Sequence, residues 1–221
     1  MKFQGCKPPV DLRHEVIRKW EEFYSSGMRI GGYPLSEHIQ RHLVENGLGA
    51  GPVLELGCGT GRTFSHIMAV LQLHPPSQPV YVGADASLSA LLVASRRNGI
   101  WPVLCDMFAQ PFASESFRLI YARNVLEGYS ASAAADLSRE VYRLLRKGGF
   151  LLVEERGPLD RGIETSDQTS LRGRDDSEGR KSFAAIFSQF STISFSEQIR
   201  RRRTAGGTVI IHTTAAVFRK G

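Results

Sequence analysis

Cysteine is scarce in this 221-residue chain: Cys6, Cys58 and Cys105 are the only ones, with no CxxC spacing among them. A sparse, odd set of this kind excludes a disulfide framework and a zinc ribbon, and it predicts a reducing, cytoplasmic setting with no metal centre. Long apolar runs are also missing. Nothing approaches the roughly 18 residues of a membrane helix, so no membrane contact is expected. The opening MKFQGCKPPV lacks the apolar stretch of a signal peptide. With 42% hydrophobic and 23% charged residues, disorder and fibrous repeats are excluded, and the length suits one domain with a small addition. There is no internal repeat, and low complexity is confined to an arginine run.

Positive charge is present but unevenly placed. The net charge is +6. After Ser196, Arg200, Arg201, Arg202, Arg203, Arg219 and Lys220 face Glu197 as the only acid. Almost the whole excess therefore sits in one C-terminal segment, which points to a polyanionic partner.

The chain divides by rhythm. Residues 11–25 place Leu12, Val16, Trp20, Phe23 and Tyr24 at spacings of three and four, predicting an amphipathic helix with Asp11 as its cap. Residues 35–46 predict a second helix, with Ser36 as cap and Gly47 as stop. Together they make an N-terminal helical cap over 1–49. On the second helix His38 and His42 share a face, read as an ordinary polar one. From residue 50 to the C-terminus, short apolar runs alternate with helical patterns: VLEL, VYVGAD, WPVLCD, FRLIYA and FLLVEE. That alternation predicts parallel βα units with helices on both faces of the sheet. Residues 157–181 hold only Leu159, Ile163 and Leu171 as clearly apolar positions and predict a flexible insertion. A helix over 183–190 and a β-hairpin over 191–221, turning at TAGG, complete the chain.

The most informative stretch is VLELGCGTGRTF, residues 53–64. A strand runs into Gly57, Gly59 and Gly61 and then into a helix, the kind of turn at which doubly wound sheets bind nucleotides. A dinucleotide fingerprint requires glycine at 62, where this chain has Arg62. Glu55 just before the loop disfavours a pyrophosphate and suits a cationic ligand. A nicotinamide-dependent oxidoreductase is disfavoured on both counts.

ELGCGTG resembles motif I of the class I S-adenosylmethionine-dependent methyltransferases, whose cofactor carries a sulfonium and an ammonium. The likeness continues in order through VYVGADAS (80–87), VLCDMFAQPF (103–112), FRLIYARNVLEGY (117–129) and LSREVYRLLRKGGFLLVEE (137–155). It implies an α/β fold: a doubly wound, mostly parallel seven-stranded sheet with an antiparallel last strand and a helical N-terminal extension. It also implies S-adenosyl-L-methionine held by Glu55, Gly57, Cys58, Gly59, Gly61, Asp85, Ala86, Asp106, Met107 and Arg123. Within that set, Asp85 is expected at the ribose hydroxyls, Asp106 at the adenine amino group and Met107 along the ring. Read from local sequence alone, Asp85 is instead a cap for the helix SLSALLVAS. Two departures stand out: Phe117-Arg118 where the family shows Phe-Asp, and Glu127-Gly128 where many relatives carry histidines.

A sulfonium methyl is already electrophilic, so alignment of the acceptor dominates and a base is needed only for an acceptor that holds its proton. Glu127 is the candidate base, with His38, His42 and His212 behind it. Cys105 reads as core filler, which excludes covalent pyrimidine chemistry. The arginine run Arg200–Arg203 suggests RNA (tRNA or rRNA) as acceptor. A small molecule, a protein side chain and a non-catalytic scaffolding role remain the alternatives. No protein partner is indicated.

Overall fold

The computed structural model describes residues 12–28, 34–45, 51–73, 79–126, 129, 131–156, 183–204 and 207–221. The helices are α1 (Leu12–Ser25), α2 (Glu37–Glu45), α3 (Arg62–Leu73), α4 (Leu88–Ala94) and α5 (Ala131–Leu144). The strands are β1 (Val53–Leu56), β2 (Tyr81–Asp85), β3 (Ile100–Leu104), β4 (Phe117–Arg123), β5 (Leu145–Arg156), β6 (Ser191–Thr204) and β7 (Gly207–Arg219). They form one seven-stranded sheet in the order β3-β2-β1-β4-β5-β7-β6. β1 to β5 pair in parallel, and β7 lies antiparallel between β5 and β6. β1 has β2 on one side and β4 on the other, so the chain order reverses there and leaves a crevice at the carboxyl ends of those strands.

The central strands are apolar throughout because both faces are covered. On one face Leu54, Ile120, Ala122, Leu151 and Val153 pack with Leu137 and Val141 of α5 and with Phe183, Phe187 and Phe190. On the other, Val53, Leu119, Tyr121 and Leu152 meet Ile39 and Leu43 of α2 and Phe64 and Ile67 of α3. Strand alternation then puts Glu55, Arg123 and Glu154 on the α2/α3 face, at the crevice end of their strands.

The sequence-based boundaries hold for most elements, with informative differences. Ser36 caps α2, its hydroxyl accepting from the Ile39 amide at 3.3 Å. Ser87, not Asp85, caps α4, accepting from the Ala90 amide at 3.1 Å. The predicted helix over 183–190 is one helical turn at 183–186 followed by turns. The Lys147–Gly149 segment does not separate α5 from β5. It forms an irregularity within β5, where pairing with β4 jumps from Phe117↔Leu145 to Leu119↔Phe150. Arg118, standing in place of the family's aspartate, donates to the Gly148 carbonyl at 3.3 Å and lies over the Phe150 ring. Asp11, the 157–181 insertion and the hairpin tip at 205–206 lie outside the described residues. Among the described residues no helix is long and apolar enough to cross a membrane.

Candidate active site

The crevice opens above Gly57–Gly59 and is roofed by α1. Its walls include Glu55, Gly57, Cys58, Gly59, Asp85, Ala86, Met107 and Arg123 from the expected set. Gly61 and Asp106 sit between lining residues, Gly61 between Thr60 and Arg62 and Asp106 between Cys105 and Met107. A Cβ at Gly61 would stand 3.0 Å from Arg97 Cδ and 3.2 Å from Ile100 Cδ1, so this glycine serves the close packing of α3 against its neighbours. Asp106 Oδ1 accepts from the Phe108 amide at 2.9 Å and shapes the turn after β3.

The glycine turn is tight for two reasons. Gly57 and Gly59 have φ of 63° and 51°, a region that other residues rarely occupy. Neighbouring side chains also fill the space a Cβ would take: Val125 Cγ1 lies 2.5 Å from that point at Gly57, and the Tyr24 hydroxyl lies 2.6 Å from it at Gly59. The turn is tied to β2 by Asp85, whose carboxylate accepts from the Gly59 amide at 2.7 Å and from the Ser87 amide at 2.8 Å. Burial raises the Asp85 pKa above the usual carboxylate range, and these backbone donors oppose that rise.

Glu55 is buried, with 2% exposure. Its Oε2 accepts from the Tyr81 hydroxyl at 2.7 Å. Desolvation pushes its pKa up to about 7, against the opposing hydrogen bonds from Tyr81 and Thr63. A buried carboxylate needs partners, and the hydroxyls of Tyr81 and Thr63 supply them. Arg123 is ion-paired with the buried Glu154 at 3.0 Å, and Glu154 Oε2 accepts from the Ser36 amide at the start of α2 at 3.2 Å.

The roof is specific. Ile17, Trp20 and Tyr24 of α1 line the crevice, and the Trp20 and Tyr24 rings stack at 6.0 Å. Glu21, on the same helix, accepts from the hydroxyls of Ser87 and Ser89 at 2.6 and 2.5 Å. α1 is thereby latched to the first turn of α4, beside Asp85. His66, Gln110, Asn124 and Tyr129, outside the expected set, also line the crevice. Their signal was weak, since a lone His, Gln or Asn in a helix or turn has no spacing to betray it.

Cys105 packs against the core, as its sequence suggests, and also lines the crevice. Burial pushes its thiol up to about 11 and its Sγ lies 3.3 Å from Gln110 Oε1, so it stays a protonated thiol. Glu127 lies outside the described residues. The loop leading to it is held by Glu155, whose Oε1 accepts from the amides of Val125 and Leu126 at 2.8 and 3.0 Å. His212 is buried in β7, and neither it nor His38 or His42 lines the crevice. The side chains of Arg200–Arg203 are outside the described residues. Their backbone runs beyond the last β5 position, for Arg156 pairs with Thr213 and Thr213 with Gln198. The hairpin therefore projects past the same sheet edge that carries the crevice.

Comparison with known proteins agrees with this geometry. Residues 53–149 match a family described as a methyltransferase domain. A malonyl-[acyl-carrier protein] O-methyltransferase of Legionella pneumophila is 34% identical over 110 residues, covering 48% of this chain and 36% of that protein. A tRNA N(3)-methylcytidine methyltransferase of Drosophila melanogaster is 28% identical over 117 residues, covering 49% and 35%. The structure of magnesium protoporphyrin IX methyltransferase from Synechocystis superposes with a TM-score of 0.65 at 13% identity, covering 96% of this chain and 100% of that one. This last likeness is one of fold. The chain spans half or less of the length of the curated relatives it matches. The matched residues 53–149, the strand order and the glycine turn together give this chain a methyltransferase domain of the class I S-adenosylmethionine-dependent kind.

Proposed function

We propose that this protein transfers a methyl group from S-adenosylmethionine to an acceptor bound under α1. The observation that carries this reading is the Gly57–Gly59 turn tied to Asp85. The turn presents bare backbone to a ligand, beside a carboxylate whose oxygens retain lone pairs after accepting from Gly59 and Ser87. The residues fit the cofactor. Asp85 would hold the ribose hydroxyls; Ala86, Asp106 and Met107 the adenine; and Gly57, Cys58, Gly59 and Gly61 the main-chain cradle. Glu55 sets negative potential beneath the turn, and Arg123 lines the same wall. When bound, the cofactor supplies an electrophilic methyl on sulfur.

The chain's own work is alignment and exclusion of water. Ile17, Trp20 and Tyr24 close the crevice, which strengthens every electrostatic interaction inside it. Glu127 takes the acceptor's proton where the acceptor holds one. Retention of the glycine turn and of Asp85 favours turnover over a scaffolding role, which S-adenosylhomocysteine release would test directly.

For the acceptor, the projecting β6–β7 hairpin favours a polyanion, with RNA first. Four consecutive arginines on a strand that passes the crevice edge supply forks for phosphates. The experiment is to incubate the full chain with methyl-labelled cofactor and RNA or a lysate, then treat separately with nuclease, protease and ultrafiltration. The expected result is nuclease-sensitive label whose incorporation falls steeply with added salt. Label lost on protease or on ultrafiltration would replace RNA by a protein or a small molecule. No labelled product and no binding of the cofactor would remove the methyltransferase reading itself.

A further inference from the structure

His38 and His42, one turn apart on α2, belong by sequence to a polar helix face. The fold turns that face onto β6 instead. Both rings are partly buried, with centroids 4.9 Å apart, and both Nε2 atoms reach one oxygen. Ser194 Oγ lies 3.1 Å from His38 Nε2 and 2.8 Å from His42 Nε2. Ile39 and Leu43, buried at adjacent positions of the helix, fix α2 against the sheet, so the two imidazoles are placed by core packing and not by their own hydrogen bonds.

We propose that His38, His42 and Ser194 form a site for one divalent transition-metal ion of the Zn2+ or Cu2+ type, bridging α2 and β6. An imidazole nitrogen binds such an ion at about 2.0–2.1 Å, so neighbouring donors on one ion stand about 2.9 Å apart at right angles and about 3.4 Å apart in a tetrahedron. The two observed edges of the triad, 3.1 and 2.8 Å, lie close to the right-angle value, so small side-chain adjustments seat the ion. The donor set selects the ion: imidazole suits Zn2+, Cu2+ and Ni2+, whereas Mg2+ and Ca2+ require oxygen cages. Among the described residues there is no group of three or more His, Cys, Asp or Glu side chains that could hold a metal. The third donor here is a hydroxyl, and water completes the coordination. Affinity is accordingly micromolar, below that of a structural zinc site.

The hydroxyl bridge of the empty site needs one Nε2–H, because Ser194 has a single hydrogen to donate. Binding needs both Nε2 lone pairs, so that ring takes the Nδ1–H tautomer, Ser194 keeps its proton and no net proton leaves. Arg41 and Glu45, the charged side chains acting on His42, oppose each other in sign. None of the three ligands lines the crevice, so the ion braces the cap against the sheet and takes no part in methyl transfer.

The test uses the full chain, stripped with chelator and kept reduced, titrated with Zn2+ by calorimetry and with Co2+ by visible absorbance. One equivalent binding at micromolar concentration, with a rise in Tm, is expected. His38→Gln and His42→Gln should each weaken binding at least tenfold while retaining a hydrogen bond to Ser194 and the far-ultraviolet circular dichroism of the parent. His14→Gln should leave the metal affinity unchanged, and cofactor affinity should be the same in all three variants. Absence of a saturable single equivalent overturns the proposal, as does an affinity indifferent to both His38→Gln and His42→Gln. Neither outcome bears on the methyltransferase reading.

Discussion

The amide of Gly59 donates to the carboxylate of Asp85 across 2.7 Å, joining the exit of β1 to the exit of β2 at the point where the sheet changes direction. Asp85 is thus both the strut of the glycine turn and the acidic wall of the crevice. Asp85→Ala removes both functions. Cofactor affinity should fall by about 1.5–3 kcal/mol, the cost of losing hydrogen bonds to a charged group. Asp85→Asn, which keeps an acceptor, should fall less. Calorimetric titration with S-adenosylhomocysteine measures both, and unchanged affinity in Asp85→Ala would remove Asp85 from the site.

Tyr24 and Gly59 should be coupled. The Tyr24 hydroxyl occupies the space of a Cβ at Gly59, so Gly59→Ala meets a clash as well as an unfavourable φ of 51°. Tyr24→Phe removes the atom that clashes but leaves the backbone strain. The double variant should therefore recover part of the cofactor affinity lost in Gly59→Ala. Strict additivity in a double-mutant cycle would show that the α1 roof and the turn do not touch in solution.

Glu55 should make stability depend on pH. Its folded pKa is about 7 against an ordinary value of 4.5. A carboxyl raised in the folded state contributes stability that is complete below about 4.5 and is lost as pH rises through 7, because the folded state there binds a proton the unfolded chain has released. The change is on the order of 3 kcal/mol. Denaturant unfolding of the cofactor-free protein should show this fall, and Glu55→Gln should flatten it. Binding a cationic ligand favours the carboxylate, so cofactor binding near pH 7 should release a proton, visible as a dependence of calorimetric heat on buffer ionisation enthalpy. Glu55→Gln should abolish that dependence.

Glu127→Gln should lower turnover by about 10²–10⁴-fold, the usual worth of a positioned base, with cofactor affinity unchanged. A full rate in the variant eliminates Glu127 as the base and points to an acceptor that needs none.

Much of the fold was legible because buried parallel strands and their glycine turn are written in contiguous residues. VLELGCGTG fixes a strand, a turn and a helix start within a dozen positions. The family resemblance placed Asp85 and Met107, which stand at the end of β2 and in the turn after β3. Ser87 illustrates the limit. Both Asp85 and Ser87 are good caps by residue type, and only the backbone path decided that Ser87 takes the Ala90 amide while Asp85 turns to Gly59. The pairings of Glu21 with Ser87 and Ser89, of Glu55 with Tyr81, and of Glu154 with Ser36 join residues far apart in sequence, and no periodicity encodes them.

By itself the amino-acid order determined the sheet and its glycine turn, since those follow from local hydrophobic rhythm and from positions where glycine tolerates a positive φ, while the resemblance of its motifs pointed to the methyltransferases. Tertiary packing alone decided which polar groups meet. It set α1 over the crevice, buried Glu55 against two hydroxyls, gave Asp106 the Phe108 amide, and brought His38 and His42 to Ser194. These are outcomes of how helices settle on a twisted sheet, where neighbours are chosen by shape and burial across the whole chain and not by spacing along it.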